Sequence, residues 1–131
     1  RVARPMSVTF HRAFDQVRGR GAALATLVEL GVDRLLTTGG ARTAYAGRTP
    51  LGELVERAGD RIAVMAGGGI THSVVARIIA ETGVREVHVG SAVATFRRSG
   101  IGVFLAREGV VDPAKVKAFV ELLRPPDENR R

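Results

Sequence analysis

Short apolar runs alternate with amphipathic segments four times along the sequence, and this alternation restricts the fold more than any other feature. The runs are rich in Val, Ile and Leu, as in strands that are covered on both faces. Each unit spans about 25 residues, a spacing typical of right-handed βαβ crossovers. The pattern therefore predicts an α/β protein with a parallel sheet. The predicted strands are Val8–Arg12, Val32–Thr37, Arg61–Ala66 and Glu86–Val89.

Capping residues predict where the helices begin and end. Thr49 followed by Pro50, Thr71, and Asp112 followed by Pro113 are typical helix starts. Glycine follows each of the first three apolar stripes, as expected at a helix C-terminus. Residues 92–107 fit neither pattern well, so we predict a short helical turn over 92–96 and then a glycine-containing loop. Residues 125–131 are expected to form a flexible tail.

Composition excludes several classes of function. The chain has 131 residues and no Cys, which excludes a disulfide scaffold, a cysteine nucleophile and a structural zinc site built on thiolates. No apolar run is long enough to span a bilayer, and a cytoplasmic protein is expected. The net charge is +7, but the chain has one Tyr and no Trp for base stacking. The arginines are crowded near the N-terminus and otherwise scattered, which disfavours a nucleic-acid partner.

The most specific stretch is VTFHRAFD, at the end of the first predicted strand. It delivers His11, Arg12 and Asp15 within five residues. Ligands of α/β proteins bind at the carboxyl ends of parallel strands, so these three side chains are candidate catalytic residues. The alternative is structural, with Arg12 paired to Asp15 and His11 satisfied in the core.

Two glycine-containing loops follow the last two predicted strands. Gly67, Gly68 and Gly69 precede one helix start, and Gly90 and Ser91 precede a second helical turn. Backbone N–H groups in such loops can approach an anion closely, and barrels bind phosphate at this place. We therefore predict that these five residues form an anion-binding site for a phosphorylated or carboxylated small molecule. The structural alternative is that the glycines only permit tight turns.

A second polar group is expected on one face of the sheet. By two-residue alternation, Glu86 and His88 share a face of the fourth strand, and Thr9 and His11 share a face of the first. If both faces point into a barrel, these residues cluster, and Glu86 and His88 join the candidate acid–base residues. Each histidine is otherwise a core residue bonded to a neighbour.

VTFHRAFD, ELGVDRLLTTGG, AVMAGGGI and VREVHVGSA, in this order and at these spacings, resemble the copper homeostasis CutC family. The family fold is a TIM barrel, so the resemblance implies that residues 1–124 are its C-terminal half, a half-barrel of four βα units. It also implies a pocket at the mouth of the barrel. The family's recurrent positions fall on His11, Arg12, Phe14, Asp15, Thr37, Gly67, Gly69, Glu86, His88 and Ser91.

The resemblance implies a link to copper homeostasis, with copper as a bound ion. His11 and His88 are the candidate metal ligands; copper(I) prefers thiolates and thioethers, and only two Met are present. The alternative is a TIM-barrel enzyme that uses the anion site, and a third reading is a half-barrel that only associates. A half-barrel exposes two outer strands and an apolar face that includes Val8, Phe10, Leu36 and Val64 or Met65. We therefore expect a homo-oligomer, most simply a two-fold pair, or pairing with an N-terminal half.

Overall fold

The computed structural model describes residues 5–99 and 106–124. The chain divides into two compact units, Arg1–Val89 and Gly90–Arg131. The predicted tail, residues 125–131, lies outside the described residues. No helix among the described residues is long and apolar enough to cross a membrane.

The first unit is a four-stranded parallel sheet covered by three helices. Its strands stand in sequence order: β1 (Thr9–Phe10), β2 (Arg34–Thr37), β3 (Ala63–Gly67) and β4 (Glu86–His88). Parallel neighbours in sequence order are what successive right-handed βαβ units produce. The predicted α/β class and parallel sheet are therefore confirmed.

Helices α1 (Arg20–Glu29), α2 (Arg48–Ala58) and α3 (His72–Thr82) connect these strands. Their apolar stripes are buried as predicted, with Leu24, Leu27, Leu51, Leu54, Val75 and Ile78 all less than one-tenth exposed. Gly83 ends α3 with a positive φ of 72°. The predicted start of α2 is wrong by two positions, because Gly47 and not Thr49 is the N-cap.

The two faces of the sheet differ in burial. Leu35 is 0% exposed and Val64 is 6% exposed, while Leu36 and Met65 on the other face are only half-buried. We call this second face the open face. Val64 therefore does not belong to it. Phe10 pairs in register with Leu35 and so points to the helix side, which corrects its predicted place on the barrel interior.

The second unit contains a hairpin that the sequence analysis missed. A 3₁₀ turn over Ser91–Val93 leads into β5 (Ala94–Ser99), which pairs antiparallel with β6 (Ala106–Val111). The predicted helical turn is thus confined to three residues. The hairpin follows the β-branched and aromatic content of these segments. Helix α4 (Pro113–Leu123) comes next, and the Asp112 side chain caps it by accepting from Ala114 N–H, as predicted.

Candidate functional site

Asp15 lies at the centre of the candidate site, at the carboxyl ends of β1 and β2. A 3₁₀ turn over Arg12–Gln16 follows β1 directly and returns the chain towards β2. His11 caps this turn, because its Nδ1 accepts a hydrogen bond of 3.0 Å from Ala13 N–H. The turn thereby aims the carboxylate of Asp15 at the end of the neighbouring strand.

The Asp15 carboxylate receives hydrogen bonds from four residues. The Thr37 hydroxyl donates to Oδ1, the N–H groups of Thr38 and Gly40 each lie 3.1 Å from Oδ1, and Arg12 Nε lies 2.9 Å from Oδ2. The Asp15 side chain is only 3% exposed, against 45% for Arg12. The structural pairing of Arg12 with Asp15 that the sequence left open is therefore present.

These contacts keep Asp15 ionised. Burial favours the neutral carboxyl group, but hydrogen bonds from Thr37, Arg12 and Thr38 favour the carboxylate more strongly. The pKa of Asp15 is therefore lowered from its ordinary value. A carboxylate held in this way fixes the loop after β2. We interpret Asp15 as a residue that positions Arg12, Thr37 and Thr38; its predicted catalytic role stays a prediction.

Arg12 extends from Asp15 to the glycine loop after β3. A Cβ added at Gly68 would lie 2.9 Å from Nη1 of Arg12 and 2.7 Å from Cγ2 of Thr38. Within the described residues the Nη groups of Arg12 donate no hydrogen bond. The structure therefore brings two sequence-predicted features, the arginine and the glycine triplet, into contact.

Each glycine of the triplet has a steric reason to be glycine. A Cβ at Gly67 would collide with Leu36, and one at Gly69 would lie 2.8 Å from Cγ2 of Thr43. Gly68 and Gly69 also have positive φ values of 99° and 70°, which favour glycine. Close packing alone thus accounts for the triplet. Anion binding there stays a prediction, as it does for Gly90 and Ser91, which belong to the second unit.

Glu86 has a partner that sequence reasoning missed. Nε of Arg34 lies 2.8 Å and 3.1 Å from the two carboxylate oxygens of Glu86. Both side chains lie on the open face, and β3 runs between their strands. An arginine inside the apolar run VDRLL was the signal for this pair. The predicted acid–base role of Glu86 is untested, but the carboxylate is held by a guanidinium.

The two histidines lie on the outer strands of the sheet. His11 follows β1 and His88 ends β4, and both are exposed. Two strands separate the histidines within the described sheet. The register places Thr9 and Glu86 on the open face, as the alternation predicted. The clustering of Thr9, His11, Glu86 and His88 inside a closed barrel stays a prediction. Among the described residues no three His, Cys, Asp or Glu side chains are grouped so that they could hold a metal ion.

The cap at His11 also bears on metal binding. Its Nδ1 accepts a hydrogen bond, so the neutral ring carries its proton on Nε2. A metal at Nε2 would require the proton to move to Nδ1 and would remove the cap. His11 therefore suits a hydrogen-bonding role better than a metal-ligating one in this conformation.

Comparison with known proteins gives the same family as the sequence motifs. The CutC family matches residues 1–93. The chain belongs to the CutC family. A CutC family protein of Caulobacter vibrioides is 46% identical over 86 residues, which cover 66% of this chain and 35% of that protein. The human copper homeostasis protein cutC homolog is 47% identical over 87 residues, which cover 66% and 32%.

A solved CutC structure also matches the fold. The crystal structure of CutC from Streptococcus agalactiae aligns with a TM-score of 0.61 and 33% identity, over 64% of this chain and 42% of that one. The CutC fold is a TIM barrel, so the four-stranded sheet is part of such a barrel. The chain spans about a third of the length of the curated relatives named above. The family match ends at residue 93, and the predicted extension of the half-barrel to residue 124 stays a prediction.

Proposed function

We propose that this CutC-family chain acts in copper homeostasis and that the carboxyl ends of its strands bind a small anionic molecule. Copper homeostasis comes from the family, whose human member carries that name. The observation that supports the anion is the contact of Arg12 with Gly68, where a guanidinium whose Nη groups donate no hydrogen bond to the described residues meets a glycine loop before a helix. Guanidinium groups match phosphate and carboxylate oxygens in pairs.

The residues of this chain do not fit copper(I) well. Copper(I) prefers thiolate and thioether sulfur, and the chain has no Cys and two Met. Met6 is 66% exposed, and Met65 lies on the open face. We therefore derive no step through a copper ion bound to this part of the protein. Copper would then be bound by the small anionic molecule or by residues outside this part of the protein.

An enzyme is the second candidate, because the chemistry of the site permits it. Arg12 would hold the anion. His88, an exposed imidazole at the end of β4, would be the acid–base group, because the other two candidates already have structural roles. His11 caps a turn and Glu86 is bound by Arg34. The cytoplasmic location expected from the sequence is part of this proposal.

A partner for the open face also belongs to the proposal. Within the described sheet β1 and β4 each have one neighbour, whereas a TIM barrel closes on itself. We propose that a second copy covers the open face when this chain is alone, with the four strands of each copy facing the other's. The N-terminal half of a CutC barrel is the competing occupant.

NMR tests the anion site directly. Phosphate added to the ¹⁵N-labelled chain should shift the amide signals of Gly68 and Gly69 saturably, and Arg12→Gln should weaken this binding by about tenfold, as expected for one charge-assisted hydrogen bond. Arg42→Gln is the matched control, because Arg42 is an exposed arginine that donates no hydrogen bond to the described residues. Unchanged glycine signals would refute the site.

A further inference from the structure

A cavity between α1 and α2 carries a second cluster of positive charge, beside the strand ends described above and sharing Asp15 with them. It has a volume of about 540 Å³, and its lining includes Arg18, Arg20 and Arg57. We call this cavity the α1–α2 groove. Its volume lies in the range of small-molecule sites, about 300–1,000 Å³.

The three guanidinium groups have no ion-pair partner within the part of the chain that the structure describes. Within residues 5–99 and 106–124 none of them forms an ion pair or donates a side-chain hydrogen bond, although the backbone carbonyl of Arg57 accepts a hydrogen bond from the Arg61 side chain. Four other arginines of the first unit show the contrast, since Arg12, Arg34, Arg48 and Arg77 are each paired with a carboxylate. Three arginines with no carboxylate partner among the described residues create a local excess of positive charge at this cavity.

Two of these arginines lie against glycines. A Cβ added at Gly21 would lie 2.5 Å from Nη1 of Arg57, and one at Gly40 would collide with Nη1 of Arg20. The guanidinium of Arg57 therefore rests on the first turn of α1. Arg20 rests on the loop that Asp15 anchors through the Gly40 N–H group.

Little negative charge at the groove offsets these arginines. Asp15 lines the cavity but is bound by Arg12, Thr37 and Thr38. Glu53 is the other acidic residue of the lining. The start of α1 adds to the positive field, because its N-cap Gly19 has no side chain to accept from the first-turn N–H groups.

We propose that the α1–α2 groove binds a phosphorylated small molecule with at least two phosphate groups. Arginine is suited to such a ligand because its planar donors pair with phosphate oxygens. Arg57 on α2 would hold one phosphate, and Arg18 and Arg20 at the start of α1 would hold another. The cavity is larger than a single phosphate ion requires. The proposal is independent of the function proposed above, because it uses none of Gly67–Gly69 or Arg12's Nη groups.

Inorganic pyrophosphate is the probe, titrated into the full ¹⁵N-labelled chain. The amide signals of Arg20 and Gly21 and the Nε signal of Arg57 should shift saturably. Arg57→Gln should weaken binding by about tenfold, the effect of one charge-assisted hydrogen bond. Arg85→Gln is the control, because the Arg85 side chain is 91% exposed and lies outside the groove, and it should leave the affinity unchanged.

Three results would overturn the proposal. Shifts at Gly68 and Gly69 without shifts at Arg20 and Gly21 would place the ligand at the strand ends only. Equal weakening by Arg57→Gln and Arg85→Gln would indicate attraction to net charge without a site. Tighter binding of a single-stranded RNA than of pyrophosphate at the groove signals would assign the arginines to nucleic acid. Shifts at Arg20 and Gly21 without shifts at Gly68 and Gly69 would refute the strand-end site and leave the groove supported.

Discussion

Arg34 on β2 and Glu86 on β4 form an ion pair on the open face of the sheet, across the intervening strand β3. The two side chains are 35% and 32% exposed, so water screens part of their attraction. The pair lies on the face that a barrel would enclose. It supplies polar contacts within one half of the barrel and occupies the carboxylate that the sequence suggested for acid–base chemistry.

A double-mutant cycle on Arg34→Gln and Glu86→Gln should give a coupling free energy of about 0.5–1 kcal/mol, because the pair is partly screened. Urea unfolding of the four proteins measures it. Glu56→Gln is the matched control, since Glu56 is exposed and has no partner among the described residues. A coupling near zero would show that the pair contributes nothing to stability.

Asp15→Asn should lower the free energy of unfolding by about 3 kcal/mol, because it leaves Arg12 and a set of buried donors without their charged acceptor. Asp60→Asn should change it by less than about 0.5 kcal/mol, since the Asp60 side chain is 99% exposed. Urea unfolding at neutral pH compares the two variants.

The same carboxylate predicts a pH dependence. The pKa of Asp15 is lower in the folded chain than its ordinary value of 3.8. Its stabilisation is therefore complete above the unfolded pKa and is lost as pH falls through the folded pKa. Wild type should lose more stability than Asp15→Asn between about pH 5 and pH 2. Parallel loss in both proteins would contradict the assigned contacts.

The sequence was sufficient for the fold of the first unit and for part of the site. Apolar periodicity and capping residues locate the strands and helices, because both signals are local. The partners of Asp15 are not local: Thr37, Thr38 and Gly40 meet it only after β1 and β2 pair. The ion pair of Arg34 with Glu86 likewise depends on β3 lying between their strands. The spacing of the two residues in the sequence does not indicate that their side chains come into contact.

The hairpin of the second unit was missed for a different reason. Gly90 and Ser91 resemble the start of a helix, and the 3₁₀ turn over Ser91–Val93 does begin there. The pairing of β5 with β6 then depends on contacts between residues up to 17 positions apart, as with Ala94 and Val111. Alternation over six residues was too weak a signal to predict it.

Gly68→Ala should destabilise the chain by about 1–3 kcal/mol, because the residue has a positive φ of 99° and the new methyl group would meet Thr38 and Arg12. Gly83→Ala is the control, with a positive φ of 72° but only an ordinary contact of 3.8 Å to Val55. Thermal or urea unfolding compares them. Equal losses would show that the contact with Arg12 and Thr38 adds nothing to the backbone strain.

Copper(I) should bind this chain weakly, because the chain offers no thiolate and the described residues contain no cluster of metal ligands. Competition with a copper(I) chelator measures the affinity. Met6→Leu and Met65→Leu should leave the weak binding almost unchanged. Tight one-to-one binding that is lost in either variant would contradict this prediction and would show that the chain has a thioether site for copper(I).

The isolated chain should associate through the open face. Four parallel strands do not close a barrel. Within the described sheet β1 and β4 therefore each keep one unpaired edge, and Leu36 and Met65 stay half-buried. Leaving such side chains in water forgoes about 1.5–3 kcal/mol each, against a typical domain stability of about 5–15 kcal/mol. Sedimentation at micromolar concentration should show a dimer, and Met65→Lys should weaken it. Leu30→Lys is the control, because Leu30 is 73% exposed at the end of α1, away from the sheet. A compact monomer with a cooperative melt would contradict the half-barrel. If the chain is monomeric alone and pairs only with a CutC N-terminal half, the partner of the open face is that half and not a second copy.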